Sequence, residues 1–161
     1  MISSDRQKSI NKLLDFRPQI ISEYQKNKLK DVWFAWDSDW DHGAEWVISP
    51  VYIDATQYSI WPLTCSNVFK AFPLREIERI GFSRLQPQQE LAPHKHENEG
   101  HRILHMAIDI PEGDVGIETS SGEHYWNLSG DWVLFDDNKT HSAWNRTDAD
   151  RVILYIDLIG E

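Results

Sequence analysis

From residue 45 onward the chain is a succession of short β-favouring runs: EWVIS, VYIDA, ERIGFSRLQP, HRILHMAIDIP, GDVGIET, DWVLFDD and DRVILYIDLI. Breakers separate them. Pro50, Pro62, Pro73, Pro87, Pro93 and Pro111 each remove a backbone donor, and glycines at 100, 113, 116, 122 and 130 admit turn conformations. Runs this short cannot grow into long helices. They must bury one face against a second sheet, which predicts a mainly β fold, an antiparallel sandwich or barrel.

Ahead of these runs, residues 5 to about 28 carry Ile10, Leu13, Leu14, Ile20, Ile21 and Leu29 at roughly helical spacing. This predicts an N-terminal helical segment that Pro18 interrupts or restarts. Residues 31–44 (DVWFAWDSDWDHGA) have no period and set three tryptophans among acids, as a lid or an aromatic plug. Residues 64–78 read as a short helix or turn. With 161 residues the chain is expected to form one domain over 1–161, in which 1–44 is the helix and irregular segment and 45–161 the β core.

Composition narrows the partners. Sixteen Lys plus Arg stand against 26 Asp plus Glu, a formal net charge of -10. No basic run offers a footprint for a phosphate backbone, so no nucleic-acid partner is expected. Cys65 is the single cysteine, which excludes an intrachain disulfide. No apolar stretch is long enough to span a membrane, and the first residues lack a signal-peptide pattern. A cytoplasmic protein is expected, with oligomeric state open and a dimer among the options.

Histidine placement carries the chemistry. His94, His96, His101 and His105 lie close together, and His141 follows in FDDNKTHSAWN. In extended chain His94 and His96 share a face. Imidazoles there suit Fe, Zn, Cu or Ni, and His141 is the obvious third donor from a distant strand. The plain alternative is a solvated acidic loop, HKHENEGH. His105, within ILHMAI, shares a face with Ile103 and Ala107. It is either a satisfied core residue or a donor to an anionic ligand. His101 is expected to be solvated, and His42 and His124 structural or exposed. Arg151 opens RVILYIDLI, where alternation puts Arg151, Ile153, Tyr155 and Asp157 on one face. Its guanidinium fork suits a carboxylate, and Ser83 in GFSRLQP could add a hydroxyl.

These segments together resemble a family. GFSRLQPQQELAPH, ILHMAIDIP, GDWVLFDDNKTHSAWN and DRVILYIDL are similar to the aspartyl/asparaginyl β-hydroxylases, over about residues 64–159. The resemblance implies a double-stranded β-helix, a cupin-like jelly roll, that uses Fe(II) and 2-oxoglutarate. It implies His94 and His141 as iron ligands, and Arg151 with Ser83 as the grip on the far carboxylate of 2-oxoglutarate. His105 would contact the cosubstrate near the metal. Asp136 and Asn145 match turn and supporting positions, and Trp126 and Trp144 match packing positions.

Two residues depart from the pattern. His96 stands where free-proline hydroxylases of the family have Asp and the peptide-acting branch has Gly, so it becomes a candidate third ligand. Ile103 stands where the peptide-acting branch has a substrate-binding arginine, and Arg102 points to the other face. The expected activity is hydroxylation of an unactivated C–H of a small amino-acid-like substrate, with release of succinate and CO2. Substrate-side candidates are Ile103, Glu97, Glu99 and Trp36, with the 31–44 segment or the 97–101 loop as cover. Three alternatives stand beside this: a three-histidine cupin enzyme that does not use 2-oxoglutarate, a hydroxylase of peptide or protein side chains, and a non-catalytic ligand-binding jelly roll.

Overall fold

A computed structural model describes residues 1–30, 32–35, 46–126 and 131–160. In chain order the elements are α1 (Ser4–Asn27), β1 (Phe34–Ala35), β2 (Trp46–Ile53), β3 (Thr56–Gln57) and α2 (Pro62–Ala71). After a short 3-10 turn at Leu74–Glu76 come β4 (Ile77–Leu85), β5 (Gln89–His94), β6 (His101–Asp109) and β7 (Val115–Thr119). The chain closes with β8 (Gly122–Tyr125), β9 (Trp132–Phe135), β10 (His141–Asn145) and β11 (Arg151–Ile159). The mainly β expectation holds.

The strands form two antiparallel sheets. The larger runs β1-β2-β4-β11-β6-β9, with β3 beside β2, and the smaller runs β5-β10-β7-β8. The larger sheet has a different core on each face. Outward side chains Ile80, Phe82, Leu104, Met106, Leu154 and Ile156 meet Ile10, Leu13, Ile20 and Tyr24 of α1 and Val68 of α2. Inward side chains Leu85, Ile103, Ala107, Ile153 and Tyr155 meet Leu91, Ile117 and Ala143 of the smaller sheet. This explains β11, which is buried along nearly its whole length. Covered on both faces, a strand needs apolar residues at nearly every position.

α1 begins cleanly. The Ser3 hydroxyl accepts the Arg6 N–H at 3.1 Å, and Asp5 lies in the first turn. Contrary to the expectation of a break, the helix runs unbroken through Pro18. Ile10 and Leu13 before the proline and Ile20 and Tyr24 after it pack on the same sheet, which outweighs one lost helical hydrogen bond. Leu29 does not join that stripe: the helix has ended, and the side chain is exposed. Lower down, Glu23 reaches α2, whose Trp61 N-cap makes no side-chain capping bond. Its carboxylate accepts the N–H groups of Leu63 (2.8 Å) and Thr64 (2.9 Å) and so caps α2 from α1.

Pro50 sits inside β2, where the β2–β4 register shifts between Pro50 and Tyr52. A bulge is where a central strand tolerates a missing N–H. The connection from β10 to β11 is built by Asn145, fully buried. Its amide donates to the carbonyls of Leu85 (3.0 Å), Gln86 (3.1 Å) and Ala149 (2.8 Å), while its oxygen accepts from the Thr147 hydroxyl (2.7 Å). That matches the turn role expected for Asn145. Asp136 likewise accepts the Asn138 N–H at 3.1 Å, closing the turn into β10. Trp126 and Trp144 are both buried. No helix among the described residues is long and apolar enough to cross a membrane.

Candidate metal centre and anion pocket

β5 and β10 pair so that His141 lies directly opposite His94, just before a bulge in the ladder. Bulges re-aim side chains, and this one lies at the sheet end that faces the cavity. His96 follows two residues after His94, and its backbone N–H donates to the Asp137 carbonyl at 2.8 Å. The three rings converge: centroids are 4.4 Å apart for His94–His141, 5.1 Å for His94–His96 and 5.5 Å for His96–His141. One nitrogen from each lies within 4.8 Å of the others. The Nδ1 of His94 donates to the Ala92 carbonyl (2.7 Å) and that of His141 to the Lys139 carbonyl (2.9 Å). With Nδ1 as the donor in each bond, Nε2 is the acceptor nitrogen, the form in which an imidazole can bind a metal. Three imidazoles in this geometry suit a divalent first-row metal.

These rings open on a cavity between the two sheets. Its walls include Leu91, Ile103, Ile117, Phe135 and Ala143, and its polar groups include Ser83, His105, Asp137 and Arg151. Register explains the inner end. Arg151 pairs with Leu85, and Ile153 pairs with Ser83 on one side and Ala107 on the other, while Tyr155 pairs with His105. The Arg151 side chain is thereby drawn inside, and the residue is only 1% exposed.

The polar atoms at this end are incompletely matched. Among the described residues, Arg151 Nε and His105 Nδ1 have no hydrogen-bond partner. Ser83 Oγ accepts from Trp46 Nε1 at 2.8 Å and from Arg151 Nη2 at 3.4 Å. With both lone pairs engaged, the Ser83 hydroxyl hydrogen remains to donate. Burial pushes the Arg151 guanidinium down to about 10, so it is still a cation at neutral pH. Burial, then the nearby Arg151 charge, holds His105 well below the usual histidine range, so its ring is neutral there. A buried cation flanked by unsatisfied donors is unfavourable unless an anion enters. A carboxylate fits these donors.

Several expected residues sit elsewhere. Glu97 and Glu99 are exposed and do not line the cavity. Between them, Asn98 turns inward and donates to Asp137 Oδ2 at 3.0 Å. Ile103 lines the cavity as an apolar wall. Trp36 and His42 lie outside the described residues. His101 is not solvated as expected. Its side chain is 22% exposed, and its Nδ1 lies 2.7 Å from Asp157 Oδ1. Asp157 faces inward on β11 and recruits it. His124 is partly buried against the Trp126 ring, at 4.8 Å between centroids. Sequence reading missed Asp137, Trp46 and Phe135 as cavity residues. For Asp137 the available signal was its place in FDDN, in the turn that leads from β9 into His141.

Two facing antiparallel sheets with a histidine cluster at one end define a cupin-like jelly roll. The sequence model of the aspartyl/asparaginyl beta-hydroxylase family matches residues 12–160, and the chain belongs to that family. An ornithine lipid ester-linked acyl 2-hydroxylase from Rhizobium tropici is 32% identical over 80 residues, which cover 48% of this chain and 28% of that protein. The alignment thus spans about a quarter of that relative's length. Among solved structures, a Pseudomonas putida prolyl-4-hydroxylase superposes with a TM-score of 0.61 at 10% identity, covering 92% of this chain and 88% of that one. KdgF from Halomonas sp. superposes with a TM-score of 0.51 at 12% identity, over 84% and 93% respectively. At such identities these two likenesses establish the fold alone.

Proposed function

We propose that this chain is an Fe(II)- and 2-oxoglutarate-dependent hydroxylase of a small amino-acid-like substrate. The observation that carries the reading is a buried, carboxylate-seeking Arg151 in the same cavity as three converging imidazoles. His94, His141 and His96 would hold the iron. Arg151 and the Ser83 hydroxyl would hold the distal carboxylate of 2-oxoglutarate, and the neutral His105 would donate to the cosubstrate nearer the metal. Bound iron with 2-oxoglutarate supplies oxidation of an unactivated C–H bond by dioxygen, with succinate and CO2 as coproducts. The protein's share is orientation and exclusion of water. The two sheets hold the donors on rigid strands, and the walls of Leu91, Ile103, Ile117 and Phe135 keep the reacting volume apolar.

The test is succinate formation that requires iron, oxygen and 2-oxoglutarate together, measured over a panel of free amino acids and their derivatives. Arg151→Met should abolish it and remove 2-oxoglutarate binding in calorimetry. Metal-dependent turnover that survives Arg151→Met would overturn the reading. His96 supports a second reading, a three-histidine metal enzyme that does not use 2-oxoglutarate, since His96 completes an all-imidazole set. Product formation without succinate would select it.

A further inference from the structure

Charge is unevenly divided along this chain. Residues 1–30 carry seven Lys or Arg against three Asp or Glu, whereas residues 31–161 carry nine against 23. The segment that holds α1 is thus a cationic layer on a strongly anionic protein. Two of its charges do not reach solvent: Arg6 and Glu23 are buried, and Glu23 caps α2. Helical geometry orders the rest. Ile10, Leu13, Ile20 and Tyr24 face the larger sheet. Lys8, Lys12, Asp15, Gln19, Ser22 and Lys26 recur at three- and four-residue spacing along the exposed side. Lys8 pairs with Asp5 at 3.2 Å, while Lys12, Lys26, Lys28 and Lys30 form no salt bridge among the described residues.

Apolar side chains gather at the lysine-rich end. α1 stops at Asn27, and Leu29, between Lys28 and Lys30, is 93% exposed. Trp33 Nε1 donates to the Lys28 carbonyl at 3.2 Å, which brings β1 and its 56% exposed Phe34 to this corner. Asn27 Nδ2 donates to the Ile60 carbonyl at 3.0 Å, which sets the start of α2 and the 54% exposed Leu63 beside the same helix end. Scattered apolar residues on a surface need no explanation, but a group of them ringed by lysines does. Anionic headgroups above acyl chains match both parts: lysines meet the headgroups, and apolar side chains enter the layer beneath. A protein or nucleic-acid partner supplies anions but no fluid apolar layer for side chains that stand open to solvent.

We propose that the C-terminal end of α1 docks on an anionic membrane surface, with Lys26, Lys28 and Lys30 toward the headgroups and Leu29 and Phe34 inserted. α1 covers the outward face of the larger sheet, so this surface is separate from the cavity between the sheets. The proposal goes beyond the hydroxylase reading and does not depend on it.

The test is co-sedimentation of the full chain with vesicles of phosphatidylcholine alone and of phosphatidylcholine with about 30% phosphatidylglycerol, in about 0.1 M salt. Partition should be about ten-fold or more stronger on the anionic vesicles and should fall as salt rises. Lys26→Gln, Lys28→Gln and Lys30→Gln together should abolish that preference. Leu29→Ser keeps every charge and should weaken binding about ten-fold. Absence of binding to the anionic vesicles overturns the proposal, as does equal binding to both vesicle types. So does a preference that the triple substitution leaves intact. Binding unmoved by Leu29→Ser overturns it too, since lysines alone would then serve, as they would for heparin or another soluble polyanion. The wild-type comparison decides the matter even where a variant fails to fold. Neither metal nor cosubstrate enters this measurement, so its failure leaves the succinate test standing.

Discussion

At the scale of single residues, Arg151 is a cost to the empty protein and an asset to the liganded one. Its guanidinium is buried with no salt bridge to a carboxylate among the described residues, and its bond to Ser83 is long at 3.4 Å. Arg151→Met should therefore raise the stability of the ligand-free protein, by about 1 kcal/mol in urea unfolding, while removing carboxylate binding. A less stable Met variant would mean that Arg151 has a protein partner in the folded state. His105 gives a pH signature. Its folded-state value lies well below the ordinary 6.5 because of burial and the Arg151 charge. Between those two values the unfolded chain binds a proton that the folded chain refuses, so stability falls as pH drops below about 6.5. One such group removes up to about 1.4 kcal/mol by pH ~5.5. Urea midpoints across that range should show this slope in the wild type and a smaller one in His105→Gln.

At the scale of elements, the least legible part of the chain was the smaller sheet. β5, β8 and β10 read as QELAPH, GEHY and HSAWN, and none was expected as a strand. They have one face toward solvent and are rich in polar residues, and β5 contains Pro93. Pro93 is tolerated because β5 is an edge strand, paired only with β10. The larger sheet was legible because both of its faces are covered, and its strands read as apolar runs. Connections matter at this scale too. Asn145 ties the end of β10 to the end of β4 and to the start of β11 through three carbonyls. Asn145→Ala would leave several buried groups unsatisfied and should cost about 3 kcal/mol by thermal or urea unfolding. His94 and His141 are carried by the strands this turn anchors, so metal affinity should fall in the same variant.

For the whole molecule, the candidate metal links β5, β10 and the loop at His96. A metal that binds the folded chain and not the unfolded one stabilises by mass action, about 2.7 kcal/mol at a hundred-fold excess over Kd. Thermal unfolding with Fe(II) under anaerobic conditions, or with Zn(II), should shift upward with metal concentration and return with a chelator. His141→Ala should lose the shift, and His96→Ala should keep part of it. An unchanged transition in the wild type would remove the metal-centre assignment.

The sequence by itself determined the mainly β class, the family and the cluster of histidines around His94, because strand patterning, turn residues and motif spacing are local properties written in order along the chain. It also marked Arg151 and His105 by their alternation with apolar neighbours. Only the tertiary structure decided how these residues meet. Three imidazoles converge because β5 and β10 pair in one register, and Arg151 is buried because β11 is covered on both faces. Pro18 does not break α1 because tertiary packing outweighs one hydrogen bond. Glu97 and Glu99 point to solvent while Asn98 and Asp137 turn inward, since loop direction depends on long-range hydrogen bonds between residues about forty positions apart.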